Sequence, residues 1–273
     1  MSARIINRPR SRRLFCVAAL GALVAVSGCT ASNMTKDGEP IDPLVVAMYA
    51  PVEGEPFRVP AVPIAKVDPK LYRQTVTTPP TISAEPGTIV VDPYEKFLYL
   101  VQEGGQSIRY GIGVGKQGFA WSGTAEIHDK QHWPKWFPPQ EMQERDEYAA
   151  QFPDGMDGGP KNPLGSRAVY LYEGECNANN LRTPSCRDTL YRIHATNEPL
   201  SIGKAVSSGC IRMWNQDGID LYDRVALGTK VVVLSTGAPQ PIEDPAIVGP
   251  PIAGAPLLSG DPIVVALPAS PAI

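Results

Sequence analysis

One histidine and one cysteine stand sixteen positions apart, in the strings Ile193-His194-Ala195-Thr196 and Ser207-Ser208-Gly209-Cys210-Ile211-Arg212-Met213. Each lies at the edge of an apolar, strand-like run. Thiol catalysis needs a thiolate, and a free cysteine with a pKa of about 8.5 is only a few per cent ionised at neutral pH. An imidazole within hydrogen-bond reach supplies the missing activation. Gly209 has its own use, because a residue without a side chain lets the turn bring its backbone close to a substrate. The N–H groups of Gly209 and Cys210 are then the candidates for facing a developing oxyanion. A buried small cysteine beside a structural histidine is the plainer reading of any such pair, so the surrounding residues have to decide.

They do so as a string. A His followed by a small residue, a gap of about fifteen, then Ser207, Gly209, Cys210, an apolar residue and Arg212 resembles the signature of the L,D-transpeptidases, the YkuD-type catalytic domain. Two residues depart from it. Ser208 stands where that family often has a second His, and Ala195 where it usually has Gly, which leaves His194 as the only candidate base of the motif. The resemblance implies a mainly β fold, an antiparallel sandwich or barrel-like domain with a few short helices.

It also implies a chemistry. Cys210 attacks the third residue of a peptidoglycan tetrapeptide stem, D-Ala leaves, and a thioester forms; His194 takes the thiol proton and returns one to the departing amine. Ser207 and Ser208 support the motif. Arg212 either fixes a substrate carboxylate through its planar fork or forms a structural ion pair nearby. The acyl group then passes to an amine of a second stem, of an outer-membrane protein, or of a D-amino acid. No metal or organic cofactor is called for. Two other classes stay open: a cysteine hydrolase in which water beats the amine, and a non-catalytic wall-binding lipoprotein. The retained His194 and Cys210 count against the latter.

The elements that must position these residues begin after an export segment. Residues 1–28 carry Arg4, Arg8, Arg10, Arg12 and Arg13 and no acidic residue, then an apolar stretch from Leu14 to Val26. That stretch is shorter than the ~20 residues of a membrane span and reads as a signal peptide. It ends in Val26-Ser27-Gly28-Cys29, which resembles a lipobox with Cys29 as the lipidated residue. Thr30 and Ala31 lack the Asp of inner-membrane retention, so the expectation is a periplasmic protein anchored to the outer membrane. Ser11-Arg12-Arg13-Leu14-Phe15 also resembles a twin-arginine signal. Without the five signal arginines, 20 basic residues face 28 acidic ones, a formal charge of −8. With no basic stripe, that balance excludes nucleic acid.

Cys16 leaves with the signal, and Cys176 and Cys186 remain, with nine residues between them in a polar loop. An oxidising periplasm makes a disulfide their natural pairing, since a zinc site needs four N/S ligands and this loop holds no His. Residues 29–84 are rich in Pro and charge and read as a tether, with room for one docked turn or strand.

The catalytic domain is expected over residues 85–236. Gly87–Asp92, Lys96–Val101 and Ser107–Gly115 read as an antiparallel meander, the first two split by the turn Asp92-Pro93-Tyr94-Glu95. Ile108, Tyr110, Ile112 and Val114 alternate as in a strand with one buried face, and the glycines between allow close backbone approach on the other. Residues 119–127 suggest another strand. The string from Trp133 to Pro139, resembling the same family in diderm bacteria, reads either as an aromatic lid or as core beneath a loop, followed by a short helix over 141–146. His128 and His132, four apart on a run that is not helical, read as surface or loop histidines and not as ligands. Residues 215–225 suit a short helix and 231–234 a closing strand. The tail, 237–273, has nine prolines and no Lys or Arg, and is expected to be disordered or to lie over the domain.

Overall fold

The computed structural model describes residues 34–115, 121–176, 185–207, 209–235 and 247–249. The helices are α1 (Pro43–Met48), α2 (Gln140–Arg145) and α3 (Asn215–Arg224). The strands are β1 (Gln74–Thr77), β2 (Ile89–Asp92), β3 (Phe97–Val101), β4 (Gln106–Gly111), β5 (Val114–Gly115), β6 (Gly123–His132), β7 (Arg167–Glu173), β8 (Arg187–Ala195), β9 (Ala205–Ser207), β10 (Ile211–Met213), β11 (Lys230–Val233) and β12 (Ile247–Gly249). Ten of them form one sheet in the order β10-β8-β7-β6-β11-β2-β3-β4-β1-β12, and β5 pairs with β9.

The expected mainly β architecture is what the chain adopts, with the meander β2-β3-β4 antiparallel and Asp92 Oδ1 accepting the N–H groups of Tyr94 and Glu95 in the turn. Three pairings differ from an all-antiparallel sheet: β11 with β2, β10 with β8, and β5 with β9 are parallel. Each joins strands separated by long connections, as parallel pairing requires. Closure toward a barrel comes from Gly113 and Arg212, whose N–H groups donate to each other's carbonyls at 2.9 and 2.8 Å. This bridges the β10 end of the sheet to the segment after β4.

The central strands are buried on both sides. Ile89, Val91, Leu98, Leu100 and Val231 enter an inner core with Tyr110, Ile193, Met213 and Leu221. The alternate residues Val90, Phe97, Tyr99, Val101 and Val232 enter a second core, filled by Tyr49, Val62, Ile64, Val67, Leu71, Tyr72 and Val76. Those last residues belong to the stretch expected to be a tether. Within the described part, residues 41–82 instead wrap the sheet, and β1 extends it by pairing with β4. The physical reason is that runs apolar at every position need cover on both faces. Gly111 shows how tightly the wrap lies, since a Cβ there would stand 2.5 Å from the Leu71 carbonyl oxygen.

The same layer corrects the one-face reading of β4, in which Ser107 and Arg109 are as buried as Ile108 and Tyr110. Arg109 lies 4.4 Å over the Phe97 ring and donates to Lys70 O and Gln74 Oε1. Within the tail, β12 pairs antiparallel with β1 and satisfies an edge strand's backbone groups. The signal segment, Cys29 and most of the tail lie outside the described residues. Among the described residues no helix is long and apolar enough to cross a membrane.

Polar residues fasten the wrap. Asp42 caps α1 by accepting Leu44 N–H at 2.7 Å. Gln216 of α3 donates to Ala50 O and Pro60 O, each at 2.9 Å. Tyr49 donates to Asp217 Oδ2 at 3.2 Å, and the Arg73 guanidinium lies 3.0 Å from Asp220 and 3.5 Å from Asp217. Burial pushes the Asp217 carboxyl up to about 7 against the pull of Arg73. Glu55 accepts two bonds from Arg167 and one from Trp133 Nε1.

Candidate active site

His194 is carried by β8 and Cys210 sits one residue before β10. The two strands run side by side with Ile211 opposite Ile193 and Arg212 opposite His194. Ile193, Ile211 and Met213 point into the inner core. Residues two apart on a strand share a face, so Arg192, His194 and Arg212 all project to the other side, and Cys210 joins them there. The predicted nucleophile and base are thus brought together as diagonal neighbours on one face, between two arginines.

The turn that delivers Cys210 is held locally. Ser207 Oγ donates to Cys210 O at 2.7 Å and accepts the Gly209 N–H across 3.4 Å. Gly209 has φ 129°, open to glycine and costly for other residues. Its N–H is turned toward Ser207, so of the two expected oxyanion donors Cys210 N–H is the one left without a partner among the described residues. Ser208 lies outside them.

His194 is buried, and its Nδ1 lies 2.5 Å from Ala195 O. A carbonyl only accepts, so the Nδ1 carries the proton and Nε2 is left with its lone pair. Burial drives its pKa down to about 4, helped by the charges of Arg212 and Arg192 and opposed by the Ala195 carbonyl. The imidazole is therefore neutral at pH 7. Cys210 is half-buried and is the one free cysteine among the described residues. Burial pushes its thiol up, while the Arg192 backbone N–H and the Arg192 and Arg212 charges pull the other way. The resting groups are thus a thiol and a neutral imidazole.

Arg212 forms the ion pair foreseen as one of its two roles, with Nη1 2.6 Å from Glu198 Oε2. Ala195, the other departure from the motif, is accommodated by glycine neighbours: a Cβ on Gly165 would stand 2.8 Å, and on Gly218 3.1 Å, from its methyl group.

Three side chains at the site carried no motif signal. Arg192 is gripped by Asp188 through two bonds of 2.7 and 2.8 Å and lies 4.4 Å over the Tyr170 ring. Tyr191 stacks on Trp121 at 5.3 Å, and the thiol's charge pushes its pKa up after burial does. Arg192, two before His194, was readable from strand alternation alone; Tyr191 and Trp121 were not. β8 is irregular just before Tyr191: exposed Leu190 has φ 65°, its N–H donates to Asp188 Oδ1, and the Tyr191 N–H donates to Thr189 Oγ1.

The aromatic string resolves toward packing. Trp136 is buried beside Tyr148 and Phe152, and Trp133 meets Phe57 of the wrap edge-on at 5.0 Å, with only Phe137 largely exposed. Cys176 and Cys186 are joined in a disulfide. His128 corrects its sequence reading, because it lies buried in β6 with its ring against Tyr172. It approaches the two sulfurs, but their mutual bond leaves one imidazole and no ligand set.

The model of the L,D-transpeptidase (YkuD) catalytic domain matches residues 86–233, from just before β2 to the end of β11. The chain belongs to this family. The probable L,D-transpeptidase ErfK/SrfK of Escherichia coli (strain K12) is 33% identical over 152 residues, 54% of this chain and 43% of its own length. This chain thus spans less than half the length of that relative. A solved Brucella melitensis chain, described as a probable carnitine operon oxidoreductase, is 51% identical, covers 62% of this chain with 96% of itself, and has a TM-score of 0.40. An L,D-transpeptidase from Mycobacterium smegmatis is 18% identical, covers 54% of this chain with 58% of itself, and has a TM-score of 0.36.

Proposed function

We propose that this L,D-transpeptidase-family chain is a cysteine acyltransferase acting on peptidoglycan tetrapeptide stems. The observation that carries the reading is the shared face of β8 and β10, where a neutral His194 with a free Nε2 stands beside Cys210. In the first half-reaction the thiol proton moves to Nε2 and sulfur bonds to the carbonyl carbon of the stem's third residue. The Cys210 N–H donates to the oxyanion; one such donor is worth about 3 kcal/mol. Collapse breaks the C–N bond, the imidazolium returns its proton to the leaving D-Ala, and a thioester remains. In the second, an amine gives its proton to His194, attacks the thioester and restores the thiol.

Export, lipidation at Cys29 and attachment to the outer membrane from the periplasmic side complete the proposal and place the enzyme near its substrate. The test is intact-protein mass spectrometry with a purified disaccharide-tetrapeptide and a second stem as acceptor. D-Ala release with a cross-linked dimer supports the transferase. Release without a dimer turns the reading to a hydrolase or a protein acceptor, and neither adduct nor release from folded protein turns it to a wall-binding adaptor.

A further inference from the structure

Two cavities of about 680 and 490 Å³ share Lys66, Leu200 and Lys204 in their walls. The larger extends past Lys70 to Tyr94 and Lys96. The smaller ends at Glu198, the ion-pair partner of Arg212, and at Val206, which precedes the Ser207 that clamps the Cys210 turn. Together they make a trench that starts beside the catalytic face and runs along the seam between the wrap and the family-matched region.

Along the whole trench four lysines face three carboxylates in a chain of net charge −3, and one of the three, Glu198, is taken up by Arg212. The larger cavity sets four lysines against two carboxylates, Asp68 and Glu95. Lys70 leans on Asp68 at 3.7 Å and Lys96 donates to Tyr94 O, while Lys66 and Lys204 are exposed and make no ion pair among the described residues. Val67, Leu71, Leu200 and Ile202 separate the lysines with apolar surface. We propose that this trench is a subsite for the free carboxylates of an extended peptide, and that it draws the carboxylate-bearing stem to Cys210. The lysines are spread along the walls with no arginine among them, which suits several spaced point charges better than one phosphate held by a planar fork. Six of the 17 wall residues, including Lys66 and Lys70, come from residues 63–71, outside the matched 86–233, so this chain's wrap completes the subsite.

The inference rests on the stem-peptide reading for its ligand, and its test separates the two. Binding of disaccharide-tetrapeptide is measured by calorimetry on the mature chain carrying Cys210→Ala, which needs no turnover. Adding Lys66→Gln and Lys204→Gln, both at exposed positions, is expected to weaken binding about fivefold and to flatten its salt dependence. A stem with amidated carboxylates is expected to bind the lysine variant and its parent equally. An unchanged Kd in the folded variant, or an equal loss for the amidated stem, overturns the proposal. So does loss of binding to anionic lipid vesicles with stem binding intact, which would make the trench a headgroup site. Wild-type protein that binds the stem through these lysines but releases no D-Ala would overturn the acyltransfer reading alone.

Discussion

The wrap, residues 41–82, and the family-matched region, residues 86–233, fill opposite faces of the same central strands, and they do so by different physics. The matched region fills the inner core with aliphatic residues from strand after strand, Ile89, Leu98, Ile127, Leu171 and Ile193 among them. Its contacts follow from period-two alternation and ladder pairing. The wrap has little regular structure and holds on with aromatic rings and buried polar bonds. Tyr49 meets Trp214 edge-on at 5.0 Å, Gln216 ties two wrap carbonyls, and Arg73 enters a carboxylate pair. The first mode leaves a strong signature in sequence; the second depends on partners more than a hundred residues away. What differs with it is the role proposed for each: one region carries the proposed nucleophile and base, and the other shapes part of the proposed trench leading to them.

Four experiments would break or sharpen that contrast. Cys210→Ala should abolish D-Ala release while leaving the melting temperature nearly unchanged, because the proposed thioester needs its sulfur and the thiol is only half-buried. Turnover at the wild-type rate would refute the nucleophile. Tyr49→Ala should cost about 4 kcal/mol in urea unfolding, since it empties a ring site and leaves Asp217 without its hydroxyl donor. A cost within 0.5 kcal/mol, roughly that of a surface change, would return the wrap to a tether.

Two buried groups, His194 at the site and Asp217 where α3 meets the wrap, should also answer pH with opposite signs. His194 has a folded value of about 4 against 6.5 unfolded, so the unfolded chain takes up its proton first as pH falls. Stability from this group is full above about 6.5 and falls by about 3 kcal/mol on the way down to 4. Asp217, raised from 3.8 to about 7, works the other way: the folded state holds the proton, and stability is lost as pH rises through that window. Denaturation curves across pH 4–8 should show the His194→Gln protein losing its acid-side slope and the Asp217→Asn protein losing the opposing one. The acid limb of kcat/KM should likewise fall near 4, not 6.5, as the base must be neutral to act. Smallest is Glu55→Gln, expected to cost about 2 kcal/mol by weakening the bonds to Arg167, with D-Ala release unaffected in the folded protein. Loss of release from folded protein would show that the wrap reaches the chemistry itself.

Much of the site was legible before any coordinates. His194, Cys210, Gly209 and Ser207 form a local string whose residue types declare a thiol chemistry, and β8 and β10 follow from the apolar residues around them. The short helices over 140–145 and 215–224 were legible too, because Pro139 and the apolar spacing of Leu221 and Val225 are local signals. What was not legible is cover. Val90, Tyr99 and Val232 looked like ordinary strand residues, although a run apolar at every position already implied a second layer. The burial of the polar Gln216 and Asp217 had no local signal, because their partners come from residues 49–73.

The sequence by itself determined which side chains are candidates for the chemistry, since a thiol, an imidazole and a glycine turn are fixed by residue type and short spacing. It also determined the strands, since backbone pairing follows local alternation. Only the tertiary structure decided the protonation state of His194, for burial and the Ala195 carbonyl set it. It alone decided that a proline-rich stretch closes the second face of the sheet. Both outcomes depend on what lies across space from a residue, and desolvation and packing energy have no local signature along the chain.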